Sequence, residues 1–195
     1  MTSAMSVTGR SLRELIDGAG ERSLAAAGLA CLDRCLPLLG PDLGDLLRPV
    51  WAAVARGDGP AWGESLAGAR AELDGLEAAG AGDGDPAQAV RGMLAAAPAA
   101  WAADGLRAWA HACSATALAL HGRHDPAGVP DGLIERCGAG DAEGAGPLLA
   151  GELRRQHAVL EAVAHGPTGL RRARELSVEG GRVLRAVVSR RARTA

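Results

Sequence analysis

Residues 21–39 read ERSLAAAGLACLDRCLPLL. Leu24, Gly28, Cys31 and Cys35 recur at intervals of four, three and four, the period of one helix face. Arg22, Asp33 and Arg34 fall on the other side. Alanine and leucine dominate, and both are strong helix formers. Pro37 lies near the end of the segment, and Gly40-Pro41 stops it. The spacing therefore predicts a long amphipathic helix from Glu21 to Leu39, with small residues on its apolar seam.

The same pattern extends in both directions. Upstream, Ser11 followed by Glu14 fits a capping box for a short helix within Thr8–Asp17. Downstream, Asp42 is placed to cap a helix that runs through Leu46, Leu47, Val50 and Trp51 to Arg56, with Pro49 kinking or restarting it. Gly57 to Pro60 reads as a loop, and Ala61–Ala79 as a helix carrying Trp62, Leu66, Leu73 and Leu76. Residues 80–85 form a flexible Gly/Asp linker. Pro86–Ala97 is a short helix. Pro98 opens a longer one to Leu120, whose apolar line of Leu106, Trp109, Cys113, Ala117 and Leu120 runs beside a polar line of Asp104, Arg107, His111 and Ser114. Asp131–Cys137 is one or two turns. Pro147–His165 points Leu149, Leu153, Leu160 and Val163 inward. Pro167 starts a last helix to about Arg191, weakened at Gly180-Gly181. No segment alternates as a strand does. The expectation is all-α: residues 1–195 as one single-domain helical bundle of about seven to nine helices, without a sheet, frayed at 1–7 and 192–195.

Composition narrows the class. The chain has no Lys, Phe or Tyr, and 28 glycines, the bias of a GC-rich genome. Net charge is −2, yet it is unevenly spread. Glu152 to Ala195 holds ten arginines against four glutamates, +6, while the remainder holds eleven arginines against nineteen acids, −8. Such asymmetry points to internal pairing or to a basic face for an acidic partner. The N-terminus lacks the pattern of a signal peptide, and apolar stretches are interrupted too early to span a membrane. A cytoplasmic location and reduced cysteines follow as expectations.

Cys31 and Cys35, one turn apart, share a helix face and with Cys113 or His111 would make a soft-metal set. On an apolar seam cysteine otherwise behaves as a small hydrophobe. His121 and His124 read as a solvated helix end, where imidazolium meets the dipole favourably. Glu152 and Gln156 lie one turn apart at the edge of a leucine seam. A polar amide at the position of Gln156 reads first as satisfying a backbone group or a partner side chain across the bundle; the alternative joins Glu152 and Gln156 to Arg171, Arg172, Arg182 and Arg185 of the basic last helix as a binding surface. No helix-turn-helix and no stacking aromatics accompany those arginines, which argues against nucleic acid. Residues 80–84 lack the Lys-Ser/Thr of a phosphate loop.

Three stretches resemble a known family. Leu29-Ala30-Cys31-Leu32-Asp33-Arg34-Cys35-Leu36-Pro37 is similar to the A-L-x-C-A-E-R-L-L-P segment of the YjaG-like bacterial proteins of unknown function. Leu47-Arg48 with Trp51 resembles that family's L-R-x-x-L-x-x-x-W helix. Glu152-Leu153-Arg154-Arg155-Gln156, Leu160-Glu161, Leu170 and Glu179-Gly180 resemble its closing E-x-x-x-Q…L-E…L…E-G-x-S-N pattern. The final Ser-Asn is absent here: Arg182-Val183 follows Gly181. The resemblance implies a compact all-helical cytoplasmic domain and carries no activity.

The functional expectation is a non-enzymatic helical binding or accessory protein that recognises a protein partner, an immunity-like protein being one concrete form. Its acidic face would be Asp42, Asp45, Asp58 and Glu64, and its basic face the last helix. The alanine-rich seam would equally serve a homodimer. One alternative is a bundle that binds a metal or small ligand through Cys31, Cys35, Cys113 and His111. A second alternative is an enzyme, which requires Asp104, His111, Glu152, Gln156 and His157 to converge. Trp51, Trp62, Trp101 and Trp109 read as the bulky anchors of the core.

Overall fold

Leu24, Ala25, Ala26, Leu29, Ala30 and Leu32 are all fully buried, so their helix is apolar on every side. This helix, α2 (Glu21–Cys35), extends through a 3-10 turn at Leu36–Leu38 and forms the axis of the molecule. The computed structural model describes residues 9–40, 43–75 and 85–193. The expectations for residues 1–8, for Asp42 as a cap, for the linker at 80–84 and for the end of the helix at 76–79 lie outside these.

Among the described residues there are nine α-helices and no strand. Packed around α2 are α6 (Ala103–Gly122), α8 (Pro147–Val163) and α9 (Pro167–Ala192). The outer helices are α1 (Leu12–Asp17), α3 (Arg48–Arg56), α4 (Gly59–Asp74), α5 (Pro86–Ala95) and α7 (Leu133–Gly138). The all-α bundle is thus present. No described helix is long and apolar enough to cross a membrane.

Local chemistry sets the helix ends. Ser11 and Glu14 make the reciprocal capping box. Asp58 accepts from the Ala61 amide at 3.0 Å and opens α4, and Asp85 does the same for Ala87 at the start of α5. Pro49 sits in the first turn of α3 and starts that helix without a kink. Pro98 does not open α6, which begins at Ala103. Its carbonyl instead accepts from Trp62 Nε1 at 2.8 Å. The cap of α8 comes from a distance: buried Asp125 accepts from the Leu148 and Leu149 amides at 2.8 and 3.0 Å. A carboxylate there satisfies two orphan amides and faces the positive end of the helix dipole.

Two glycines allow α2 its close neighbours. A Cβ on Gly28 would lie 2.5 Å from the Trp109 ring of α6. Trp109 in turn packs edge-on to Trp62 at 5.7 Å, and Trp62 edge-on to Trp101 at 5.5 Å. A Cβ on Gly180 would collide with the Arg34 side chain. The pair Gly180-Gly181 therefore does not weaken α9, which is continuous from Pro167 to Ala192. It lets the helix lie against Arg34 and Pro37 of the α2 segment.

Gly28→Ala tests this packing. In an exposed helix the change would stabilise by about 1 kcal/mol through propensity. Here the ring of Trp109 is held by Trp62, and overpacking should prevail, with a net loss of about 1–3 kcal/mol. Thermal unfolding followed by circular dichroism should show a lowered Tm. An unchanged or raised Tm would mean that the α2–α6 approach is looser than described.

Candidate functional site

Arg34, on the helix that the sequence pattern gave a polar side, is completely buried. The reason is that α2 has neighbours all round, so a face without leucine is still an interior face. Its guanidinium meets Glu152 of α8: Nη2 donates to Oε1 at 2.7 Å, and Nε lies 3.0 Å from both carboxylate oxygens. Nη2 also donates to Cys31 Sγ at 3.4 Å. Gln156, one turn beyond Glu152, donates through Nε2 to Oε1 at 3.0 Å and to the Ser114 carbonyl at 3.2 Å. The Ser114 hydroxyl donates back to Gln156 Oε1 at 2.6 Å. His121 of α6 is buried with Nε2 3.6 Å from Glu152 Oε2, while Nδ1 donates to the Ala117 carbonyl at 2.8 Å. Arg155 Nη1 approaches the same oxygen at 4.0 Å.

Burial pushes the Glu152 carboxyl up, but the Arg34 charge foremost, with the hydrogen bonds from Arg34 and Gln156, holds it below the usual carboxylate range. Burial opposes the charge on Arg34 and the Glu152 carboxylate outweighs it. Burial dominates at His121 and lowers its pKa. The cluster is therefore an ionised pair beside a neutral imidazole. Arg34 Nη1 and His121 Nε2 have no hydrogen-bond partner among the described residues. Arg34, Cys31, Ser114 and Gln156 border a cavity of about 10 Å³, the size of one water.

Several expectations are corrected by this arrangement. Glu152 and Gln156 are 0% and 3% exposed, so they belong to the interior and not to a binding surface. His121 is buried, not a solvated helix end. Cys31, Cys35 and Cys113 are buried free thiols. Burial pushes Cys31 up to about 12 and raises Cys35 and Cys113 well above the ordinary thiol range, so all three stand as protonated thiols. His111 is away from them, with Nε2 2.7 Å from Asp17 Oδ1 at the surface. Among the described residues no three His, Cys, Asp or Glu side chains are grouped to hold a metal. Of the set Asp104, His111, Glu152, Gln156 and His157, only Glu152 and Gln156 are hydrogen-bonded to one another. Asp104 pairs with Arg107 on the surface. Arg171, Arg172, Arg182 and Arg185 are exposed on α9, as expected.

The pattern missed a groove of about 330 Å³ between α1, α6 and α7. Leu12, Ile16, Ala115, Leu118 and Ile134 line it with Arg13, Asp17, His111, Ser114 and Glu135. Ser114, His111 and Asp17 have the composition of a nucleophilic triad but not its geometry. The Ser114 proton goes to Gln156, and no hydrogen bond joins Ser114 to His111. Nothing local signals the Asp17–His111 pair, whose members are 94 residues apart.

No family model, curated protein or solved structure matches this chain. Arg34 on Glu152 is joined by two further contacts of the same region: Trp51 Nε1 donates to Asp33 at 3.0 Å, and Gly180 admits the Arg34 side chain.

Glu152→Gln leaves the Arg34 charge buried and uncompensated, and should cost about 3–5 kcal/mol in chemical denaturation. A joint replacement, Arg34→Met with Glu152→Leu, should cost much less than that single change. A cost for Glu152→Gln within the range of a surface substitution would mean that water reaches the pair.

Stability should also fall with acid. Burial lowers His121, His124 and His157 from 6.5. The unfolded chain therefore binds protons near that value while the folded chain does not, and stability is lost as pH drops from about 7.5 to about 5.5. In Tm measured across that range, His121→Gln should remove part of the slope and leave the shares of His124 and His157. An unaltered slope would place His121 in contact with solvent.

Proposed function

We propose that this protein is a non-enzymatic recognition module that binds an acidic protein partner through the outer face of α9. The observation that carries the reading is the character of that face. Residues 167–193 hold eight arginines and two glutamates. Arg171, Arg174, Val178, Arg182 and Arg185 follow one another at three- and four-residue intervals and are all exposed. Val178, at 45% exposure, is the only exposed large hydrophobic residue among those described. An apolar contact flanked by arginines is the composition of an interface centre, since arginine is enriched in hot spots and its planar fork suits carboxylates.

The rest of the chain supports the same reading. The polar groups best suited to chemistry are closed inside and mostly satisfied by one another, as a structural network is. The described part of α9 offers no aromatic ring for base stacking, which favours protein over nucleic acid. Four unpaired cysteines accord with a reducing, cytoplasmic setting.

The test is purification of the tagged full-length chain from its native cells beside the variant Arg171→Glu/Arg182→Glu. The unaltered chain should retain one stoichiometric acidic protein, and the variant should lose it. With that protein in hand, the association rate should fall with rising salt, while Val178→Asp should speed dissociation. Retention of the same protein by both forms, or recovery of nucleic acid alone, would reject the α9 surface.

A further inference from the structure

We infer that the groove between α1, α6 and α7 is a binding site for a small aliphatic primary amine in its ammonium form. The site lies on different elements from the α9 face and does not depend on it. Its volume of about 330 Å³ is within the range of small-molecule pockets. Ile134 and Ala115 supply the accessible apolar surface for an alkyl stem, over a floor of buried Leu12, Ile16 and Leu118.

The polar groups of the groove are nearly all acceptors. A carboxylate only accepts, so in the Asp17–His111 contact of 2.7 Å the donor is His111 Nε2. The ring's Nδ1 is then an acceptor when the imidazole is neutral, and Asp17 Oδ2 keeps its lone pairs. The Ser114 hydrogen is committed to Gln156 at 2.6 Å, which leaves only lone pairs on its oxygen. Glu135 is exposed and takes part in no ion pair among the described residues. With His111 neutral, Arg13 is the single cationic donor against the two carboxylates, and the formal charges of Arg13, Asp17 and Glu135 leave −1. A primary ammonium brings three donors, no acceptor and one positive charge. It complements the groove in both hydrogen bonding and charge, with its head toward the Asp17 and Glu135 carboxylates and its stem on Ile134 and Ala115. A carboxylate ligand of the same length would meet acceptors with acceptors.

The floor is built to keep its shape. Ser114 and Ile16 line both the groove and the small cavity beside Arg34. The buried network therefore backs the groove directly, and a rigid floor reduces the ordering cost of binding.

The experiment is a titration of the full-length protein with n-pentylammonium, read by NMR at the His111 imidazole, with n-pentanoate at equal ionic strength as the charge-reversed control. A saturable shift with the amine and none with the acid is expected. Glu135→Gln should weaken amine binding by about tenfold, the loss of one charge-assisted contact. Its Tm should stay unchanged, because Glu135 is exposed. Arg13→Gln should tighten binding by removing a like charge. The inference is overturned if the amine gives no saturable shift, if pentanoate shifts the ring equally, or if Glu135→Gln binds the amine as well as the unaltered chain.

Discussion

One ion pair, Arg34 with Glu152, ties the axis of this bundle to its C-terminal half. The partners are 118 residues apart in sequence and both are sealed from solvent. Bringing two charges into an apolar interior costs several kcal/mol each, and attraction offsets that only where geometry and further hydrogen bonds are good. Here Glu152 receives Nη2 and Nε of Arg34 and Nε2 of Gln156, while Gln156 is itself fixed to Ser114. Helices α2, α6 and α8 are thereby held in one register. A slip of a single turn between α2 and α8 would leave a guanidinium and a carboxylate buried apart. The pair thus selects the arrangement more than it adds to net stability, and Gly180 of α9 is part of the same constraint because the Arg34 stem lies against it.

A chain without phenylalanine or tyrosine must fill its core in another way. Alanine and glycine bring the helix axes close, and four tryptophans occupy the volumes that remain. Three of them have their indole N–H satisfied by a fixed partner: Trp51 by Asp33, Trp62 by the Pro98 carbonyl and Trp109 by the Met93 carbonyl. Each ring therefore acts as filler and as a strut between elements, at no cost in unpaired donors. The perpendicular contacts of Trp62 with Trp101 and Trp109 connect α4, the segment before α6, and α6 itself.

This construction divides the molecule's polar groups in two. The interior set is neutral or mutually paired and shielded. The exterior set offers an arginine face on α9 and an acceptor-rich groove beside α1. Because Ser114 belongs to the network on one side and to the groove on the other, the two sets touch at one residue.

Much of the fold was legible in the chain. Helical period, the Ser11–Glu14 box, Asp58, Asp85 and the glycine and proline punctuation specify local structure, because helix formation and capping depend on residues only three or four apart. The exposed arginines of α9 were legible for the same reason. The centre of the structure was not. Periodicity assumes that a helix has one buried side, and α2 has none exposed over most of its length, so Arg34 reads as a surface residue until its neighbours are known. Gly180-Gly181 reads as a weak point until the Arg34 stem is seen lying where a Cβ would be. Glu152, Gln156, Ser114 and His121 acquire their roles only from helices that approach over long sequence separations, as does the cap that Asp125 gives α8. The sequence alone determined the helices, their ends and the charge of the last one, since those follow from local spacing. Only the tertiary structure decided which polar groups lie inside, because burial is a property of what packs against a residue and not of the residue's place in its own helix.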